Sequence, residues 1–270
     1  MVKELIFIKI GGSVITDVTK PNSAKEWEIR RLLKEIDDAR IAKGFDVIIG
    51  HGSGSFAHVV GKTYRVNEGL INDRSKIGAS LTHISAQKLN AILTDIGLDM
   101  GIPLFPFTAS SFSISSGTRL EAGFTQGITE VMRHGFVPVV YGDVVIDRSQ
   151  GVAIASTEEV FRLLSQSITP TKVVMGTDVD GIFDKDPNVY PDAKLLREVS
   201  GTNYAEASKV AGDARKIDVS GGMQTKLSRL YEMVHRTGAT GYIANASVPR
   251  VINKILSGAD NEVECTVVRA

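Results

Sequence analysis

Short apolar runs that end in glycine recur along this chain, with helix-patterned stretches between them. Leu5–Ile10 runs into Gly11-Gly12-Ser13, Asp46–Ile49 into Gly50-His51-Gly52-Ser53-Gly54-Ser55, and Lys172–Met175 into Gly176-Thr177-Asp178. Within Trp27–Ala42, Ile29, Leu32, Leu33 and Ile36 recur at helical spacing. The same reading predicts a long helix over about Ile77–Leu98 and helices over Leu227–His235 and Val251–Leu256. It predicts further strands over Phe136–Tyr141, Thr240–Ala244 and Val263–Val268. Repeated strand–helix alternation implies a mainly parallel sheet with helices on both faces. The expected fold class is therefore α/β, a three-layer α/β/α sandwich around a mainly parallel central sheet. No linker rich in Pro, Ser or charge divides residues 1–270, so a single domain with two lobes is expected. In such sheets ligands gather at the carboxyl ends of strands, which is where the glycine clusters fall.

Charge narrows the partners. Lys+Arg and Asp+Glu balance at 31 each, which gives no bulk attraction to nucleic acid or an anionic membrane. The N-terminal apolar run is short, contains Lys9 and ends in glycines, unlike a secretory signal. No stretch approaches membrane-spanning length, and a soluble cytoplasmic protein is expected. The lone cysteine, Cys265, cannot build a disulfide framework or a thiolate zinc site.

The glycine clusters carry the chemistry. Glycines let a phosphate approach backbone N–H groups closely. Ser13 adds a hydroxyl donor, and Lys9, on the strand just before, can place an ammonium beside the same phosphate. In the second cluster His58 can donate to a phosphate oxygen. The aspartates of Thr177-Asp178-Val179-Asp180-Gly181 and Asp184-Lys185-Asp186-Pro187 suit metal ligands, turn formers or partners for nucleotide hydroxyls. In Asp218-Val219-Ser220-Gly221-Gly222-Met223, a glycine pair opens a predicted helix, an anion site in itself, and Lys226 follows one turn later. The chain has no P-loop, no protein-kinase signature set and no nucleophile elbow. Its histidines fall outside any recognisable metal spacing.

Taken together these segments resemble the amino acid kinase family. Lys9-Ile10-Gly11-Gly12-Ser13 is similar to its N-terminal signature, Thr177–Gly181 with Asp186-Pro187 to its nucleotide segment, and Asp218–Met223 with Lys226 to its late glycine–lysine segment. Gly52-Ser53-Gly54-Ser55-Phe56-Ala57-His58 is similar to the stretch ending in Ser-Phe-Gly-His of the isopentenyl phosphate kinase subgroup, and Val137–Val145 also looks like that subgroup. The resemblance implies a kinase of isoprenoid biosynthesis that uses ATP with Mg²⁺, accepts isopentenyl phosphate and forms a homodimer. It assigns the acceptor to an N-terminal lobe of about residues 1–165 and ATP to a C-terminal lobe of about 166–270. Lys9, His58, Lys226 and Glu158 would be catalytic. ATP would meet Lys9, Gly11, Gly12, Ser13, Gly54, Asp178, Gly222, Lys226 and the segment Phe183, Asp184, Lys185, Asp186, Pro187 and Asn188. Ser53, Gly54, His58 and Thr157 would contact the acceptor.

The chain departs from the family at named positions. Ser156-Thr157-Glu158 stands where Ser-Gly-Asp is common, so Thr157 adds bulk near the acceptor phosphate and Glu158 is one methylene longer. A second lysine often follows the first turn; here the place reads Asp17-Val18, with Lys20 nearest. These departures keep two alternatives open. One is a kinase of another small phosphate or phosphonate such as fosfomycin, the other a non-catalytic nucleotide or metabolite sensor. Ala79, Thr82 and Ala86 share one helix face, which either packs tightly or borders the acceptor's organic tail.

Overall fold

The computed structural model describes residues 3–187, 189–213 and 222–270. Strand β1 (Leu5–Ile10) leads through the short helix α1 (Gly12–Ile15) to α2 (Glu26–Lys43) and β2 (Asp46–His51). Helices α3 (Gly54–Thr63) and α4 (Ser75–Asp99) precede β3 (Leu104–Phe107), the short helix α5 (Ala109–Phe112), β4 (Ser113–Ser116) and β5 (Arg119–Gly123). Then come α6 (Gln126–Arg133), β6 (Val137–Tyr141), β7 (Asp143–Asp147), β8 (Gly151–Ala155), α7 (Thr157–Leu164) and β9 (Lys172–Thr177). The chain closes with β10 (Glu198–Val199), α8 (Tyr204–Asp213), α9 (Gly222–Thr237), β11 (Thr240–Asn245), α10 (Val251–Ser257) and β12 (Cys265–Val268).

The main sheet has eight strands in the order β10-β12-β11-β9-β1-β2-β6-β3. Neighbours pair in parallel except β11 with β12. Strand parity sorts β1 between two helix layers. Ile6, Ile8 and Ile10 join a core with Ile29, Leu32, Leu33 and Ile36 of α2, Leu89 and Leu93 of α4 and Ile252 and Ile255 of α10. Phe7 faces the opposite core, with Val160, Phe161 and Leu164 of α7 and Leu227 and Leu230 of α9. These layers are the sandwich expected from sequence, with helices a few residues longer than their apolar patterns. Helix α2 ends where Gly44 takes φ +73°, a left-handed conformation open to glycine at little cost. Helix α10 is capped from a distance: the Glu35 carboxylate accepts the Arg250 N–H at 2.8 Å and the Asn253 N–H at 3.3 Å.

A second sheet of four strands, β5-β4-β7-β8, was not foreseen. Its β7–β8 hairpin turns on Asp147. One carboxylate oxygen accepts the Ser149 N–H at 2.8 Å and its hydroxyl at 2.6 Å, the other the Thr118 N–H at 2.9 Å and the Ser115 hydroxyl at 2.7 Å. Burial opposes ionisation of Asp147, but the bonds from Ser149, Thr118 and Ser115 outweigh it and hold the carboxyl below its ordinary value.

Candidate active site

The glycines after β1 and β2 read in sequence as room for a phosphate. The structure adds a nearer reason. A Cβ on Gly12 would lie 2.4 Å from the Gly54 nitrogen, and one on Gly52 would lie 2.9 Å from the Gly12 nitrogen. Gly54 has φ +46°, and its Cβ would meet the Thr16 hydroxyl at 2.1 Å. That hydroxyl donates to the Gly12 carbonyl at 2.7 Å and accepts the Ser55 N–H at 3.0 Å. The two turns thus lie backbone against backbone and form one continuous floor.

Above the floor opens a cavity of about 520 Å³. The first turn contributes Lys9, Gly11, Gly12 and Ser13 to its lining, the second Ser53, Gly54 and His58, and the start of α7 Thr157 and Glu158. The far side brings Asp178, Phe183, Lys185, Asp186 and Pro187, with Gly222 and Lys226 at the start of α9. Helices α3, α7 and α9 all begin at this cavity, so the partial positive charge of each N-terminus bears on it. Asp184, expected at the nucleotide, is not in the lining: its carboxylate accepts the Lys194 N–H at 2.8 Å, beside the bridge between Phe183 and Leu195. Lys185 lines the cavity but also pairs with Asp192 at 2.6 Å. Asn188 and residues 218–221 lie outside the described residues.

Lys9 shares the strand face of Phe7, whose ring packs 5.1 Å from that of Phe161 on α7. The same parity carries the Lys9 ammonium to the first turn of α7, where it lies 2.5 Å from Glu158 Oε1. Lys226 Nζ stands 3.9 Å from the same oxygen. Burial pushes the Glu158 carboxyl up, but Lys9 and then Lys226 overcome this and hold it below the ordinary carboxylate range. Its other oxygen, Oε2, is buried without a hydrogen-bond partner among the described residues. An ionised carboxylate thus holds two ammonium groups together at the cavity wall.

The departures at Thr157 and Val18 acquire a physical account. The Thr157 hydroxyl donates to the His51 carbonyl at 2.6 Å. Its methyl occupies the space beside Gly50, where a Cβ would come within 2.6 Å. The added bulk packs on β2 and anchors the start of α7. Val18 lines the cavity, whereas Lys20 is not in the lining and lies 3.9 Å from Asp17. On α4, Thr82 and Ala86 border the cavity, but Ala79 packs in the core with Val66, Val144 and Val152. Ala57, Gly61, Val144 and Ile154 complete an apolar end there.

Other charged groups near the site were not singled out from the sequence. Asp143 lines the cavity and meets His83 Nδ1 at 2.7 Å. Glu159 turns away from Glu158 toward Arg162 and Arg229. A carboxylate with an arginine three residues later on an apolar helix was the available hint, but it does not reveal the partner on α9.

The model of the amino acid kinase family matches residues 4–245. A protein of Methanothermobacter thermautotrophicus named isopentenyl phosphate kinase is 32% identical over 263 residues, covering 95% of this chain and 96% of its own. One of the same name from Thermoplasma acidophilum is 31% identical over 256 residues, covering 93% and 96%. A solved structure described as that of an isopentenyl phosphate kinase superposes with a TM-score of 0.83 at 30% identity, covering 98% of this chain and all of the other.

Proposed function

This chain belongs to the amino acid kinase family, and we propose that it transfers the γ-phosphoryl group of ATP to isopentenyl phosphate, giving isopentenyl diphosphate and ADP. The observation that carries this reading is the Lys9–Glu158–Lys226 arrangement, set between the helix starts and on the same cavity as His58. Phosphoryl transfer depends mainly on positioning and on charge placed where the transition state needs it. Lys9 and Lys226 supply that charge. Glu158 offsets their mutual repulsion and keeps both on one side of the transferring group.

A phosphate monoester has a second pKa of about 6, so the acceptor oxygen is already ionised at neutral pH and no general base is needed. His58 and the Gly54 backbone hold the acceptor phosphate, while the apolar end at Ala57, Gly61, Thr82, Ala86 and Ile154 takes the hydrocarbon tail. Gly11, Gly12, Ser13, Asp178, Lys185, Asp186, Pro187 and Gly222 serve the nucleotide, with Phe183 beside it. Residues 1–165 thus serve chiefly the acceptor and 166–270 chiefly ATP, within one domain.

Mg²⁺ fits this site as a companion of the nucleotide. Among the described residues no three potential ligand side chains cluster, so nucleotide oxygens would supply most of its coordination. Glu158, whose Oε2 lacks a partner among the described residues, Asp178 and Asp186 are the lining carboxylates that would hold it directly or through water. When bound, the ion neutralises charge on the β- and γ-phosphates.

The active form proposed is a homodimer. Ile77, Leu81 and Ile84 form an exposed apolar stripe on α4, and Phe105 and Phe136 are exposed at the β3 edge of the main sheet. Light scattering tests this. No described helix is long and apolar enough to cross a membrane, and the location proposed is the cytoplasm, where ATP is available.

The deciding experiment is ADP release with a panel of acceptors. Turnover greatest on isopentenyl phosphate supports the proposal. Turnover on fosfomycin alone would move the activity to the other acceptor class, and no turnover with any acceptor would leave a sensor.

A further inference from the structure

Near their starts, helices α7 and α9 meet through two adjacent charge pairs, Glu158 with Lys226 and Glu159 with Arg229, and further along Arg162 lies 3.9 Å from Glu232; among these described pairs only the first faces the cavity. Glu158 and Glu159 are consecutive in the first turn of α7, so their side chains diverge by about 100° around the helix. Lys226 and Arg229 are three apart on α9 and share a face. Lys226 lies 3.9 Å from Glu158 Oε1, and Arg229 Nε lies 2.7 Å from Glu159 Oε2, an ion pair in contact but without hydrogen-bond alignment.

The second pair is fixed from below. Glu159 Oε1 accepts the Leu120 N–H at 2.8 Å and Arg162 Nε at 2.9 Å. The side chains of Glu159 and Arg162 are 4% and 1% exposed. The pair therefore ties α9 to a rigid, buried group. On α9, the first fully buried apolar side chain is Leu227, and only the partly buried Met223 packs on the core before Lys226.

We propose that Arg229 is a positioning residue for Lys226: by holding α9 to Glu159, it sets where the Lys226 ammonium stands beside Glu158 and the transferring phosphoryl group. The inference rests on the reading of Lys226 given above. It differs from a merely structural tie in one respect. If Arg229 acts through Lys226, losing Arg229 has no catalytic consequence once Lys226 is gone.

The test is a double-mutant cycle read by single-turnover rates at saturating MgATP, with acceptor KM and thermal unfolding followed in parallel. Arg229→Gln is expected to slow transfer at least about 10-fold, toward the roughly 100-fold that a misplacement of about 1 Å can cost. Acceptor KM should stay within about twofold, because the interaction lost bears on the transition state. In a Lys226→Met background the same substitution should slow transfer by less than about threefold, since groups that act as a unit are not additive. Equal slowing in both backgrounds, or none in the parent, overturns the inference. A Lys226→Met enzyme as fast as the parent would instead overturn the reading of Lys226 itself. Should Arg229→Gln fail to fold, Glu159→Gln, which keeps an acceptor for Leu120 and removes the charge, carries the same comparison.

Discussion

Lys9 and Glu158 form a buried ion pair of 2.5 Å across 149 positions of sequence, joining the end of β1 to the start of α7. Neither group is stable there alone. Breaking a buried pair by removing one partner costs about 3–5 kcal/mol. Glu158→Gln should therefore reduce both thermal stability and turnover, while Glu158→Asp, which keeps the charge, should retain most of the turnover. A Gln variant with the parent's steady-state rate would count against the organising role of Glu158.

His58→Ala should act through the acceptor. A charge-assisted hydrogen bond to its phosphate is worth roughly 1.5–3 kcal/mol. Acceptor affinity should fall about 10- to 100-fold, with nucleotide affinity nearly kept. Calorimetry that finds equal losses for both ligands would show His58 to be misassigned.

The tail end of the cavity makes a prediction about selectivity. Thr82 and Ala86 border it and both are small. Each methylene a longer acceptor buries there adds up to about 0.8 kcal/mol, so dimethylallyl and geranyl phosphates should be turned over beside isopentenyl phosphate. Thr82→Phe should depress the geranyl rate more than the isopentenyl rate. Equal depression of both would assign the Thr82 face to packing, as is already the case for Ala79.

Asp147 offers a pH test of the smaller sheet. Its carboxyl is held below the ordinary 3.8. A depressed folded-state pKa contributes stability that is complete above the unfolded value and is lost as pH falls from there through the folded value. Asp147→Asn should thus cost about 1–3 kcal/mol near neutral pH, and the gap from the parent should narrow below pH 3.8. A gap that stays constant in acid denaturation would exclude the ionised carboxylate as its source.

The sequence made six strands of the main sheet legible because they are largely buried and read as mostly apolar runs, as in Leu5–Ile10 and Lys172–Thr177, whereas β3 and the two-residue β10 were not foreseen. The second sheet was hidden because Ser113–Ser116 and Arg119–Gly123 are short and carry serine, arginine and glycine. Their stability comes from partners distant in sequence, such as Asp147 bonding Ser115. At the cavity, local chemistry made legible that residues next to the glycine turns would come together, and they line one cavity. For Asp184 the local chemistry suggests a nucleotide loop, and only tertiary structure shows that one of its carboxylate oxygens accepts the Lys194 N–H and that it stands outside the cavity lining. The direction of Thr157 was equally beyond reach, since it depends on the empty side of Gly50 on another element.

The contact between Gly12 and Gly54 bears on when the work of bringing two anions together is done. In the function proposed, one turn serves the nucleotide and the other the acceptor, and their backbones leave no room for a Cβ between them. The separation of the two phosphate seats is therefore set as the chain folds, before either ligand arrives. Preorganised seats spare the reaction the entropy of aligning its partners, an advantage that reaches about 7–11 kcal/mol in favourable cases. A closing motion that parted the two turns would have to break the Thr16 hydroxyl's bonds to Gly12 and Ser55, whereas the elements above the floor carry no such tie to it through Thr16.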